Sequence, residues 1–295
     1  MSGILYALIT VLAWGTWLSP SQNIPFKNQQ IKTFYVASAN LVLAFAVAAV
    51  LGPGQVTLDV FWLPFIGGLV WSVSGLCAFT ATDKIGTAKA FGVWAPLNIV
   101  VSILWGALLF DEFPHTSGLN LVLLLVSVII IIAGVLTIIF ARGGGGKIQD
   151  QKAELIGYLG AVGAGVLWGS YFIPLKISGV SMWIGALPLS VGIWVGSALL
   201  ALLARQSIRL EKTAHYWRVS LTGVLWGVGN YGMLLLVDQI GAGRGFTISQ
   251  LSVVINALIG IYWLRDPQPK TRAATLTLIG CILATLGGII LGNLK

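Results

Sequence analysis

The sequence predicts an all-α membrane protein of ten transmembrane helices, arranged as two inverted five-helix repeats. Three observations predict this. Of 295 residues, 57% are apolar and only 9% charged, with a mean hydropathy of +0.92, whereas a soluble domain carries roughly 25% charged residues. Ten apolar runs recur at about bilayer length, near 20 residues each. Finally, the chain matches itself at a shift of 154 or 155 residues.

The runs fall at 3–20, 33–52, 60–81, 86–110, 117–140, 155–176, 181–204, 216–237, 242–264 and 273–292. Each must be a helix, because lipid offers no partner for an unsatisfied backbone N–H or C=O. None alternates apolar and polar residues as a membrane β-strand would. No basic region precedes the first run, so it reads as a retained helix and not a signal peptide. Cys77 and Cys281 lie inside apolar runs, one in each half, and suggest no disulfide framework. The longest polar interruption, Ala141 to Ala153, holds Gly143 to Gly146 with Lys147, Gln149, Asp150, Gln151 and Lys152. The domain reading is a first repeat at 1–140, a hydrophilic cytoplasmic linker at 141–154 and a second repeat at 155–295.

The internal match is dense. Trp14, Gly15, Thr16 and Pro20 align with Trp168, Gly169, Ser170 and Pro174, and Gly68 and Trp71 align with Gly223 and Trp226. Asp83, Ile85, Gly86, Lys89 and Phe91 then align with Asp238, Ile240, Gly241, Arg244 and Phe246, while Asp111 and Asp266 close the fourth helix of each unit. An odd number of helices per unit sends the second unit into the membrane from the opposite side, the design that alternating access uses. All but three of the 17 Lys and Arg residues lie in loops after odd-numbered helices, the exceptions being Lys176, Arg244 and Lys295. By the positive-inside rule both termini are extracytoplasmic. The net charge of +8 thus serves topology, and nucleic acid is not an expected partner.

Polar residues at membrane depth are costly and mark function by default. The amides there are Asn40, Asn98, Asn230, Gln250 and Asn256. An amide either glues two helices together or lines a cavity; Asn40 and Asn256 fit both readings, and Asn98, Asn230 and Gln250, on the third and fourth helices of a repeat, favour lining. Of 12 tryptophans, Trp62, Trp183 and Trp217 fit an interfacial belt. Trp14, Trp71, Trp168 and Trp226 are mid-span and repeat-matched, with Trp17, Tyr171, Trp94 and Trp105 nearby. These rings serve either as packing landmarks beside glycine or as flat faces for a sugar ring, each indole adding one N–H donor. Aromatics and amides without intramembrane charge suit a neutral polyol.

Gly165 with Gly169 and Gly223 with Gly227 form GxxxG pairs for close helix packing. Pro20 and Pro174 are repeat-matched hinge candidates, and Pro96 is a further position able to kink a helix. Lys89 and Arg244, about one turn inside their helices, either snorkel to the interface or act in gating and coupling. Asp83 and Asp238 are the repeat-matched acids able to pair with them or to carry a proton. No acid/base, nucleophile or metal constellation appears: His115 and His215 sit at loop edges, and neither cysteine has a histidine near it in sequence. The chain does not read as an enzyme, and no metal or cofactor is implied.

The stretch Ile85-Gly86-Thr87-Ala88-Lys89 leading to Asn98 and Asp111-Glu112, with Trp226-Gly227-Val228-Gly229-Asn230 and Phe246-Thr247-Ile248-Ser249-Gln250-Leu251, resembles the bacterial glucose/ribose porter family of the drug/metabolite transporter superfamily. The resemblance covers essentially the whole chain, from Trp14-Gly15 through the central linker to Leu291-Gly292-Asn293. It implies the drug/metabolite transporter fold, uptake of a monosaccharide across the cell (inner) membrane, and coupling to protons. Lys89, Trp226, Asn230, Ser249 and Gln250 match positions typical of that family, and Glu112 matches an acid ending the fourth helix. Asn98 stands where the family often has glutamine, Arg244 where it often has no charge, and this chain is richer in tryptophan. Related folds carry amino acids, ureides, purines or drugs. An anionic nucleotide sugar would need several intramembrane cations, where only Lys89 and Arg244 qualify, and a lipophilic cation would need a mid-span acid. The expected partners are a small neutral solute, protons and the bilayer.

Overall fold

The computed structural model describes residues 2–51, 56–112, 118–141 and 151–292, and every regular element among them is helical. The first half contains α1 (Ser2–Thr16) with a 3₁₀ turn at Ser19–Ser21, α2 (Gln29–Leu51), α3 (Leu58–Ile85), α4 (Thr87–Leu109) and α5 (Gly118–Ile139). The second half contains α6 (Gln151–Trp168), α7 (Ile173–Ile177), α8 (Met182–Leu203), α9 (Thr213–Ile240), α10 (Ala242–Ser249), α11 (Ser252–Leu258), a π-helical turn at Ile259–Trp263, and α12 (Arg272–Gly292). The pieces α6 and α7 make one span, as do α10, α11 and the π turn, giving ten membrane-length helices among the described residues. Gly143 to Gly146, His115, Asn293 and Lys295 lie outside the described residues; α6 already begins at Gln151, within the segment read as linker.

Helix limits differ from the apolar runs where polar turns continue a helix past the lipid. The third and eighth helices extend to Ile85 and Ile240, each 28 residues long, and carry Asp83-Lys84 and Asp238-Gln239 in their last turns. Hydropathy marks only what lipid touches. The second helix starts at Gln29 because Asn28 caps it, its Oδ1 accepting the Ile31 N–H at 3.0 Å.

The halves interlock. Helix α3 packs on α6 and α8, while α9 packs on α1 and α2; α4 meets α6 as α1 meets α11; α2 lies on α8, α4 on α10, and α5 on α12. Exchanging each element for its repeat partner returns the same set of pairs. The first helix of each unit therefore leaves its own unit and packs on the other's third helix.

Glycine makes these contacts close. A Cβ at Gly68 would strike the Leu189 carbonyl, and one at Gly192 the Phe65 carbonyl. Both GxxxG pairs serve the same end: Gly165 and Gly169 lie on Leu97 and Val101 of α4, and Gly223 and Gly227 on Val36 and Asn40 of α2. The outer surface is lined with exposed Leu, Ile and Val, and α5, the most apolar span, is also among the least buried. The α9 span is the reverse, one of the least apolar and the most buried. Lipid must be met by hydrocarbon, whereas the interior accommodates Gly, Ser and Asn. Gly223→Val should push α9 off α2 and cost at least about 1–3 kcal/mol, seen as a lower thermal midpoint of the detergent-solubilised protein.

Candidate functional site

The first helix of each unit stops short of a full span. Helix α1 ends at Thr16 and α6 at Trp168, and Pro20 and Pro174 lie in the short helical turns that follow. Arg218 of α9 holds the first break, donating from Nε to the Pro20 carbonyl at 2.8 Å and from Nη2 to the Gln22 carbonyl at 2.6 Å. The ninth span breaks too, at Gln250-Leu251 between α10 and α11, with no proline present. Helix α4 carries Pro96 without interruption, so that proline does not break its helix. Discontinuous spans that meet at the centre of a membrane protein are where transporter sites form.

The breaks surround a cavity lined by the buried residues Trp14, Trp17, Phe91, Trp94, Asn98, Trp168, Tyr171, Trp226, Phe246 and Gln250. Its rings form a lattice. Trp94 meets Trp168 edge-on with centroids 5.2 Å apart, Trp71 lies 4.5 Å from Trp226, and Phe172 stacks on Phe246 at 4.9 Å. Such pairs each add about 0.5–1.5 kcal/mol beyond area burial. The free core of the cavity is about 20 Å³, room for one water and far below the roughly 300 Å³ of a small-molecule site. As it stands the cavity is too small for such a molecule.

Its polar groups divide into spent and unspent. Trp14 Nε1 donates to the Trp226 carbonyl at 3.1 Å, the Tyr171 hydroxyl donates to Asn230 Oδ1 at 2.5 Å, and Ser249 bonds the Phe246 carbonyl within its own helix. Asn98 Nδ2 reaches Gln250 Oε1 at 3.4 Å, bridging the two fourth helices. Buried without partners are Asn98 Oδ1, Trp168 Nε1 and, on the ring behind, Trp71 Nε1. One acceptor and one donor are thus unpartnered in the cavity wall, with a second donor one layer behind. None of the lining residues carries a charge.

The sequence candidates separate accordingly. Trp14, Trp94, Asn98, Trp168, Tyr171, Trp226 and Gln250 line the cavity, and Trp71 and Asn230 stand one layer behind it. Ser249 is buried nearby with its hydroxyl used internally. Asn40 and Asn256 act between helices, Asn40 donating to Ser190 Oγ at 3.1 Å and Asn256 to the Gly15 carbonyl at 3.4 Å. Trp62, Trp183 and Trp217 face outward.

The charged candidates sit away from the cavity. Asp83 is exposed and pairs with its neighbour Lys84 at 3.0 Å, and Asp238 is exposed. Lys89 is buried and acts on Asp266 of the other unit; burial pushes that carboxyl above its ordinary value and Lys89 opposes the rise. Arg244 is half-buried. From sequence alone, Phe91, Phe246 and Lys32 receive no site role, and Glu112 is not paired with Lys176. Trp17 and the repeat-matched pair Phe91 and Phe246 complete the cavity wall. Lys32, counted with the loops, is buried in α2 with its ammonium 4.7 Å from the Phe79 ring centre. Glu112 and Lys176 pair at 2.8 Å. Trp17, the Phe91–Phe246 match and the acid at Glu112 each offered a sequence signal, whereas the contacts of Lys32 with Phe79 and of Glu112 with Lys176 join residues far apart in the chain.

Ten spans enclosing an uncharged, aromatic, centrally placed site define a multi-pass membrane transporter. The chain belongs to the sugar transport protein family, whose model matches residues 5–294. Relatives described as "Putative sugar uptake protein" include one from Enterococcus faecalis, 27% identical, and others from Listeria monocytogenes and Listeria innocua, 28% and 29% identical; in each case 99% of both chains is covered. A crystal structure 20% identical in sequence superposes with a TM-score of 0.64 over 98% of this chain and 96% of the other, showing a shared fold. Tyr171→Phe keeps the ring but strands Asn230 Oδ1; a loss of about 1–3 kcal/mol is expected in thermal unfolding followed by tryptophan emission.

Proposed function

We propose that this protein carries a monosaccharide across the cell membrane by alternating access around the central cavity. The observation that carries the reading is the cavity's composition: indole faces, a cross-unit amide pair, and unpartnered Asn98 Oδ1 and Trp168 Nε1, with Trp71 Nε1 unpartnered one layer behind. A sugar ring presents C–H faces to stack on indole and hydroxyls that both donate and accept. The names of the relatives support the same solute class. Two five-helix units, 1–140 and 155–295, inverted about an axis in the membrane plane, would supply the two equivalent arrangements that alternating access exchanges. Pro20 and Pro174 act as hinges in this scheme, since each sits where a first helix is already interrupted.

Proton coupling is part of the proposal, and the carriers must lie outside the cavity, because its lining holds no carboxylate. Asp266 is exposed, as Asp83 and Asp238 are, and is preferred because its carboxyl is pushed above its ordinary value beside Lys89; Arg244 stands at the position equivalent to Lys89 in the other unit.

Purified protein in proteoliposomes should accumulate labelled glucose or ribose when an inward proton gradient is imposed. Uptake of an amino acid or a purine, with no sugar moving, overturns the reading; sugar equilibration unaffected by the gradient removes only the coupling. Asn98→Ala and Gln250→Ala should each lower kcat/KM for uptake by about tenfold or more, the worth of a hydrogen bond lost in a dry site. Both termini are proposed to be extracytoplasmic, so a reporter fused after residue 295 should be active only outside the cytoplasm.

A further inference from the structure

Each fourth helix begins at a glycine that no other residue replaces easily. Gly86 has φ +82° and ψ 159°, and its repeat partner Gly241 has φ +94° and ψ 165°, a region open essentially to glycine alone. These corners end α3 and α9 and leave the first N–H groups of α4 and α10 without partners inside their own helices.

A carboxylate from the opposite unit lies against each corner. Past the end of α4, Glu112 accepts the Ala242 N–H on Oε1 at 2.5 Å and the Gly243 N–H on Oε2 at 2.9 Å. Lys176, at the end of the sixth span, donates to the same carboxylate at 2.8 Å and lies 4.4 Å from the centre of the Phe110 ring. Past the end of the ninth span, Asp266 covers Gly86 so closely that a Cβ there would fall on its carboxylate, and Lys89 in the first turn of α4 acts on it electrostatically. The π turn at Ile259–Trp263 aims the chain that way and seats Gly260 on Ala88. In both units the residue just before the acid is left-handed, Asp111 with φ 48° and Arg265 with φ 56°. The two contacts stand at opposite ends of α4, whose 23 residues span about 35 Å.

We infer that Glu112 and Asp266 are the two gates of the central cavity, one at each membrane face, each holding shut the start of the other unit's fourth helix. The inference rests on the carrier reading above. The helices they hold bear the cavity wall: α4 carries Phe91, Trp94 and Asn98, and α10 carries Phe246 and leads to Gln250. Release of Glu112 frees the start of α10 and opens the face on which Lys176 lies; release of Asp266 frees the start of α4 and opens the other. With both carboxylates engaged the cavity is contracted, as observed.

The test uses full-length protein with Cys77→Ala and Cys281→Ala and a single reporter, Gln250→Cys, in right-side-out and inside-out vesicles treated with a membrane-impermeant maleimide. Glu112→Gln should raise the labelling rate roughly tenfold from its own face and leave the other unchanged, and Asp266→Asn should do the converse. Lys176→Gln leaves the Glu112 carboxylate in place, and should give a smaller rise on the Glu112 face; it decides the matter if Glu112→Gln does not fold. Unchanged labelling, or an equal rise at both faces, overturns the gates. Labelling needs no solute, so a face-specific rise in the reporter protein without sugar uptake by the protein that retains Gln250 keeps the gates and removes the sugar, whereas sugar uptake by that protein with unchanged labelling of the reporter does the opposite.

Discussion

Two apolar helices in lipid gain nothing from the hydrophobic effect by touching, since hydrocarbon tails are as apolar as leucine. Contact must come from close van der Waals packing and from polar groups that lipid cannot serve. This constraint explains where glycine falls: at Gly68 against Leu189, at Gly192 against Phe65, and at both GxxxG pairs, the facing helix approaches within a distance that leaves no space for a methyl group. It also explains the inversion of the usual polarity. The most apolar span faces out, and the most buried holds Asn230, Gly223 and Gly227.

The same packing creates the site. Because α1 and α6 each cross to the opposite unit's third helix, their ends converge on the centre, and each ends near the Trp-Gly pair that the repeat preserves. Trp14 and Trp168 then project among Trp71, Trp94 and Trp226. Glycine permits this as well: a Cβ at Gly229 would collide with the Trp14 ring. The two readings of the tryptophans, packing landmark or solute face, merge here. Trp14 spends its N–H on a backbone carbonyl and behaves as structure, while Trp168 keeps its N–H unspent inside the cavity.

Much of this was legible in the chain itself, for a physical reason. Span positions follow from the composition lipid demands, and repeat-matched residues such as Trp14 and Trp168 declare themselves by spacing alone. The cavity wall was visible to the extent that it was aromatic or amide and mid-span. What stayed hidden depends on three-dimensional partnership. The break at Gln250-Leu251 has no proline to announce it, and Pro96, which looked able to break α4, does not. The charged residues misled most. Asp83 and Lys89 are six positions apart at the end of one helix and the start of the next, yet Asp83 turns to Lys84 while Lys89 faces an acid 177 residues further on. Local spacing measures neighbours along a helix and says nothing of the end of another.

That placement of charge is consistent with what a carrier of neutral solutes must do. An ion inside the cavity would lose several kcal/mol of hydration in every state, and the cost would recur whenever the site closed over solute. At the rim the balance differs. A fully exposed ion pair is worth about 0–1 kcal/mol, too little to hold a helix shut, and breaking a fully buried one costs about 3–5 kcal/mol, too much for rapid exchange. Glu112 and Lys176 are 14% and 19% exposed, between these limits, and the two backbone N–H groups that Glu112 also binds are unpaired once it leaves. Water at the membrane face can take over those groups as the gate opens, which it could not do 15 Å deeper, at roughly the half-thickness of the hydrocarbon. A carboxylate strong enough to close a helix end and wet enough to release it belongs where Glu112 stands, and Asp266 lies against Gly86 with more of itself open to water.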